Sequence, residues 1–102
     1  MNRISITDVL SNSCLLAAEL GSRLFELLQN ELEVHETIEL DFAEYKYVSK
    51  VFIEESLGLL CRVRRWKSDE FERRIHILNM EEDDREEVEV VVADVMMREI
   101  QK

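Results

Sequence analysis

Proline is absent from this chain of 102 residues, and glycine occurs only at Gly21 and Gly58. Tight turns are built from those two residue types, so a sandwich or barrel with many short hairpins is excluded. The two cysteines, Cys14 and Cys61, form no CxxC, and His35 and His76 stand far from them and from each other. That excludes a disulfide scaffold and a local metal signature, and leaves the reduced thiols expected of a cytoplasmic protein. No segment approaches the ~20 apolar residues that cross a bilayer. Near the N-terminus, Thr7, Asp8, Ser11, Asn12 and Ser13 interrupt any signal-type apolar core. Basic residues are outnumbered, with 13 Lys and Arg against 23 Asp and Glu and a net charge of −10. This is the wrong sign for nucleic acid or for an anionic membrane surface. A glycine-rich phosphate loop, a GxSxG elbow and a supported Cys–His pair are all missing. So many carboxylates devalue any one pair as an acid–base dyad. No catalytic activity, cofactor or metal is expected.

What is present reads as one small domain spanning 1–102. Its composition is 46% hydrophobic and 35% charged, too apolar for disorder. Ile4 and Ile6 predict a first strand between Arg3 and Val9, with a further strand or antiparallel edge as an alternative within Arg3–Leu10. The SNS cluster at 11–13 offers an N-cap for a helix over about Cys14–Glu33. Its apolar stripe is Ala17, Leu20, Leu24, Leu27 and Leu28, widened by Gly21, Phe25 and Leu32. The alternation of Ile38, Leu40 and Phe42 with Thr37, Glu39 and Asp41 predicts a half-buried strand. A loop over Ala43–Val48 leads to Ser49, at an N-cap position, and to a helix over about Lys50–Arg65. Residues 66–73 read as a connection and Arg74–Leu78 as a third strand. Asn79 and Glu82 resemble a capping box. The EVEVVV run reads locally as strand, but the cap and the segment length favour a final helix. The resulting β-α-β-α-β-α order predicts an α/β fold, with a short and mostly parallel sheet of three to four strands and about three packed helices.

Two clusters invite a functional reading. Asp41, at a strand end, could share a polar rim with Glu54 and Glu55 on the following helix. Arg62, Arg64, Arg65, Lys67, Arg73 and Arg74 form a basic cluster on an acidic chain. These cations suit a helix C-terminus, an acidic partner or phosphorylated ligand, or the acidic start of the last helix, within the chain or between copies. Trp66 among them would be an interface anchor if exposed. Together with the open edges of a small sheet, it predicts a homodimer in which opposite charges meet.

The stretch IELDFAEYKYVSKVFIEESLGLL resembles the STAS-like family, small prokaryotic domains similar to anti-sigma-factor antagonists. The strand ending in Asp41-Phe42, the turn at Ser49-Lys50, and Phe52 and Glu55 on the helix carry the resemblance. IHILNMEEDDREEVEVVVADV resembles the family's last strand and final helix, and ISITDVL fits its front. The resemblance implies a small α/β domain that binds other proteins and does no chemistry itself. In anti-sigma-factor antagonists the turn after the central strand carries an aspartate–serine pair, and a kinase that is also the partner phosphorylates the serine. The aligned pair here is Ser49-Lys50, which places lysine at the acceptor position and leaves Ser49 as the candidate for phosphorylation.

The expected function is therefore a regulatory protein-interaction module in the cytoplasm. Its expected surface is the turn before the second helix, with Tyr47, Ser49, Lys50, Glu54 and Glu55, and its expected partner is a GHKL-type ATPase or kinase. The alternatives are a sensor of a nucleotide or metabolite bound at the C-terminal ends of the strands, and a self-associating structural subunit.

Overall fold

Alternation decides the sheet. Ile38 and Leu40 are fully buried, while Glu39 and Asp41 between them are partly exposed, so Ile38–Asp41 forms the strand that the pattern predicts. In the computed structural model, which describes residues 2–100, this is the central strand, β3. It is flanked in parallel by β1 (Asn2–Ser5) and β5 (Ile75–Leu78) in the order β1-β3-β5. Ile4, Ile38, Leu40 and Ile75 line the buried face. On the opposite face, Arg3, Glu39 and His76 share one register row, and Arg3 pairs with Glu39 at 3.4 Å. The fold is mixed α/β. A second, two-stranded parallel sheet pairs β2 (Cys14–Leu15) with β4 (Tyr47–Val48).

Helices cover the buried face. They are α1 (Ile6–Leu10), α2 (Ala18–Glu31), α3 (Lys50–Ile53), α4 (Leu59–Arg64), α5 (Ser68–Arg74) and α6 (Glu82–Ile100). A π-helical turn, Glu54–Gly58, joins α3 to α4 with helical backbone at both junctions. Ser56 is buried inside this turn and donates its hydroxyl to the Phe52 carbonyl at 2.7 Å. The same carbonyl faces Gly21 of α2, where a Cβ would come within 2.8 Å of it. Gly21 is thus required by close approach of α2 to α3 and the π-helical turn, at a cost of about 1 kcal/mol in helix propensity.

Several expectations are corrected. The first strand ends at Ser5 rather than near Val9. Ile6 and Leu10, four apart, are both buried while Val9 is exposed, which is helical spacing and makes α1. The SNS cluster does not cap α2. Asn12 accepts the Cys14 N–H at 2.8 Å and Ser11 takes a left-handed conformation that closes α1, so α2 starts later, after Ala17. Its buried stripe is centred on Gly21, Leu24 and Leu28, and Ala17 is exposed. The 66–73 connection is largely helix α5, held by Phe71, and Arg74 is its last residue. The capping box at Asn79 is absent, because that residue has φ 60° and gives its side-chain amide to Asp41 at 2.8 Å. The long final segment is a helix, as its length predicts.

Candidate functional site

The turn between β3 and α3 is held at both ends by bonds to distant segments. At its start, Phe42 donates its N–H to the Leu78 carbonyl at 2.9 Å. The Asp41 carboxylate accepts from Asn79 and from the Ala43 N–H at 2.9 Å. Those two donors, Asn79 first, hold the Asp41 carboxyl below its ordinary value. Glu44 takes φ 68°, and the chain reverses so that Tyr45 meets Phe42 edge to face, ring centres 5.9 Å apart.

Tyr45 then reaches across to α6. Its hydroxyl accepts the Glu81 N–H at 3.1 Å and donates to the Asp84 carboxylate. It therefore satisfies a backbone donor at the helix start, the task that sequence assigned to Asn79. Desolvation first, and the bond to Asp84 second, raise the Tyr45 phenol above its ordinary value.

Beyond Tyr45 the turn is laced to the segment 13–17. Lys46 N–H donates to Ser13 at 2.8 Å, and Ser49 N–H to Leu15 at 2.9 Å. Ser49 is the N-cap of α3, as its position predicts, with its Oγ accepting from the Phe52 N–H at 3.1 Å. The same hydroxyl donates to the Leu16 carbonyl at 2.8 Å. Three large apolar side chains stand exposed around this point: Leu16, Tyr47 and Val51. Lys50 is exposed among them. The result is a group of exposed apolar side chains with two cations, Lys46 and Lys50, on a hydrogen-bonded base.

Of the residues singled out from sequence, Tyr47, Ser49 and Lys50 come together here. Glu54 and Glu55 lie one turn further on, in a cleft of about 270 Å³ that they share with Arg62, Asp94 and Arg98. Asp41 does not line the cleft of Glu54 and Glu55, and its own bonds run to Ala43 and Asn79. Sequence reasoning missed Leu16, whose only signal was the Leu15–Leu16 doublet with one member to spare. It also missed the reach of Tyr45 to α6.

Trp66 is not an exposed anchor. It is 6% exposed and is flanked by the guanidinium groups of Arg64 and Arg74, at 5.9 and 5.3 Å from the ring centre. Arg64 also donates to Gln29 at 2.7 Å, and Arg74 to the Glu36 carbonyl. Two of the six residues of the basic cluster, Arg64 and Arg74, are thus used to close the core edge. The thiol of Cys61 is buried, and that burial pushes it up to about 12, which leaves it protonated and unreactive. Cys14 is partly exposed on β2. No helix of the described residues is long and apolar enough to cross a membrane.

A family model described as a STAS-like domain of unknown function matches residues 21–85. No curated protein and no solved structure matches the chain.

Proposed function

The chain belongs to that STAS-like family, and from this premise we propose that it is a non-enzymatic regulatory protein-interaction module, similar in action to the anti-sigma-factor antagonists. It docks a protein partner with Tyr47, Ser49 and Lys50, with Leu16 and Val51 completing the patch and Glu54 and Glu55 at its border. The single observation behind this reading is the exposed apolar trio around Lys50. Apolar side chains grouped on a rigid, hydrogen-bonded base are what a protein interface uses as its centre. A GHKL-type ATPase or kinase is the partner class that the family resemblance suggests.

Phosphorylation at this site falls to Ser49. Its hydroxyl hydrogen is donated to Leu16, so a phosphate there removes that bond and adds charge beside the first N–H groups of α3. The Leu16 carbonyl would lose that partner at the same moment. A modification on one oxygen thereby alters both the charge and the shape of the docking surface.

The test uses Lys50→Glu and Phe52→Ala. Lys50→Glu should melt like the wild type, since the residue is exposed, and should lose capture of the partner from host lysate. Phe52→Ala should lose fold and partner together. A Lys50→Glu protein that captures its partner as well as the wild type would remove the turn from consideration. A thermal-shift screen against nucleotides addresses the sensor alternative, because a ligand bound only by the native state raises the melting temperature.

A further inference from the structure

Strand β5 is an edge of the three-stranded sheet. Phe42 N–H donates to the Leu78 carbonyl at 2.9 Å, and Leu78 stands opposite Asp41 in the parallel register. In a parallel ladder, alternate residues of a strand turn their backbone groups to the same neighbour. His76 and Leu78 therefore bond to β3. Ile75 and Ile77 turn their N–H and C=O groups outward, where the sheet has no further strand.

Two of those four groups are already used. The Ile75 N–H closes α5 by donating to the Phe71 carbonyl. The Ile77 carbonyl accepts from the Arg85 guanidinium of α6 at 2.8 Å. Among the described residues, the Ile75 carbonyl and the Ile77 N–H have no hydrogen-bond partner. Both residues line a groove of about 620 Å³ between α5 and α6. Phe71, Val88 and Val92 form its apolar part. Its charged groups are Glu72 on one wall and Arg85 and Glu89 on the other, with His76 on the strand. Both signs of charge are present, so charge does not select an occupant. The free backbone pair does.

An antiparallel strand exchanges both bonds with a single residue, and neither Ile75 nor Ile77 has both groups free. A parallel strand instead sets one residue between the two. The N–H of that residue donates to the Ile75 carbonyl, and its carbonyl accepts from the Ile77 N–H. Only the parallel arrangement uses the groups that are free. A second copy joined through β5 about a two-fold axis would run antiparallel, so it is the wrong occupant.

We propose that the β5 edge takes up an extended segment of a partner protein as a fourth, parallel strand. One residue of the segment, level with His76, makes both bonds. Its two neighbours, level with Ile75 and Ile77, point to the helix-covered side of the sheet. There they meet the apolar part of the groove, so they are apolar themselves. This is strand addition to an open edge. The edge is separate from the turn at Ser49, and the proposal does not depend on the reading of that turn.

Hydrogen exchange of the full chain tests the edge first. The Ile77 amide should exchange at least about tenfold faster than those of His76 and Leu78, which β3 holds. Equal protection of the three amides overturns the proposal, because the Ile77 N–H is then not free. A phage-displayed library of random peptides supplies the probe. A peptide selected on the protein should slow exchange at Ile77 and leave Ser49 and Lys50 unchanged. Methylating the one peptide nitrogen that donates to Ile75 should weaken binding by roughly tenfold. Methylating the next nitrogen, which points away from the edge, should change it little. The protein is unaltered in both cases, so its folding does not enter. Nuclear Overhauser contacts should place the peptide parallel to β5. An antiparallel peptide, or binding indifferent to both methylations, overturns the proposal. So does a selection that yields no binder protecting Ile77, and so does a wild-type chain that pairs β5 with the β5 of its own copy.

Discussion

Helices α2 and α6 are laid against the same core on opposite plans. In α2, Gly21, Leu24 and Leu28 face inward, and Glu19, Arg23, Glu26 and Asn30 face water. Nothing apolar is left over on its outer side. Helix α6 buries a stripe of Val88, Val91 and Val92 and leaves Val90 and Met97 exposed on its other side, beside Glu86. The anchoring differs too. Backbone contact at Gly21 seats α2 against α3 and the π turn, whereas α6 is held at its start by Tyr45, a side chain from another part of the chain. Helix α2 is thus finished by folding, and α6 carries apolar surface that folding leaves uncovered.

The largest effect that would sharpen this contrast is expected on α2. Leu24 is completely buried, and Leu24→Ala removes its burial energy and leaves a cavity. A loss of about 2–5 kcal/mol is expected, read by urea denaturation. A loss below about 1 kcal/mol would mean that α2 is not the seat of the core. Gly21→Ala comes next. The added methyl would stand 2.8 Å from the Phe52 carbonyl oxygen and 2.9 Å from the Glu55 Cβ. Both neighbours are fixed to backbone, so α2 must move away. Overpacking of about 1–3 kcal/mol should outweigh the gain of up to about 1 kcal/mol in helix propensity. A stabilised Gly21→Ala protein would show that the approach is looser than the geometry implies.

A smaller loss is expected at the start of α6. Tyr45→Phe keeps the ring against Phe42 and removes only the hydroxyl that joins Glu81 and Asp84. The expected cost is about 1 kcal/mol. The same contact sets a pH dependence. The folded state raises the Tyr45 pKa, so its contribution is fully present below the unfolded phenol value near 10 and is lost as pH rises through the folded value. Wild-type stability should therefore fall in the alkaline range beyond pH ~10, and that part of the fall should be missing in Tyr45→Phe. Identical alkaline profiles for the two proteins would remove Tyr45 from the account.

How much of this was legible in the sequence follows from the range of the forces involved. The strand β3 could be read because its alternation is local and one face of the sheet is buried. Helix α5 could not, since WKSDEFER is polar apart from Trp66 and Phe71, and only tertiary contact reveals that both are buried. Two-residue β2 exists solely through pairing with Tyr47–Val48, which no local pattern announces. The start of α6 was misplaced because Asn79 has the right side chain for a cap and the wrong backbone, φ 60°. In the site, Ser49 and Lys50 could be found from a turn placed before a helix. Leu16 and Tyr45 could not, because their roles depend on neighbours 33 and 36 residues away in sequence.

The smallest effect is expected on the outer face of α6, and there the comparison with α2 is most exposed to refutation. Val90 is more than half exposed, so Val90→Ser removes little buried surface from the folded chain. Valine and serine also differ little in helix propensity. The unfolding free energy at low protein concentration should therefore stay within about 0.5 kcal/mol of the wild type. A loss several times larger would mean that Val90 is packed within its own chain and that α6 has no uncovered face. The contrast with α2 would then disappear. A neutral result in dilute protein leaves the valine without a role in the fold of one chain.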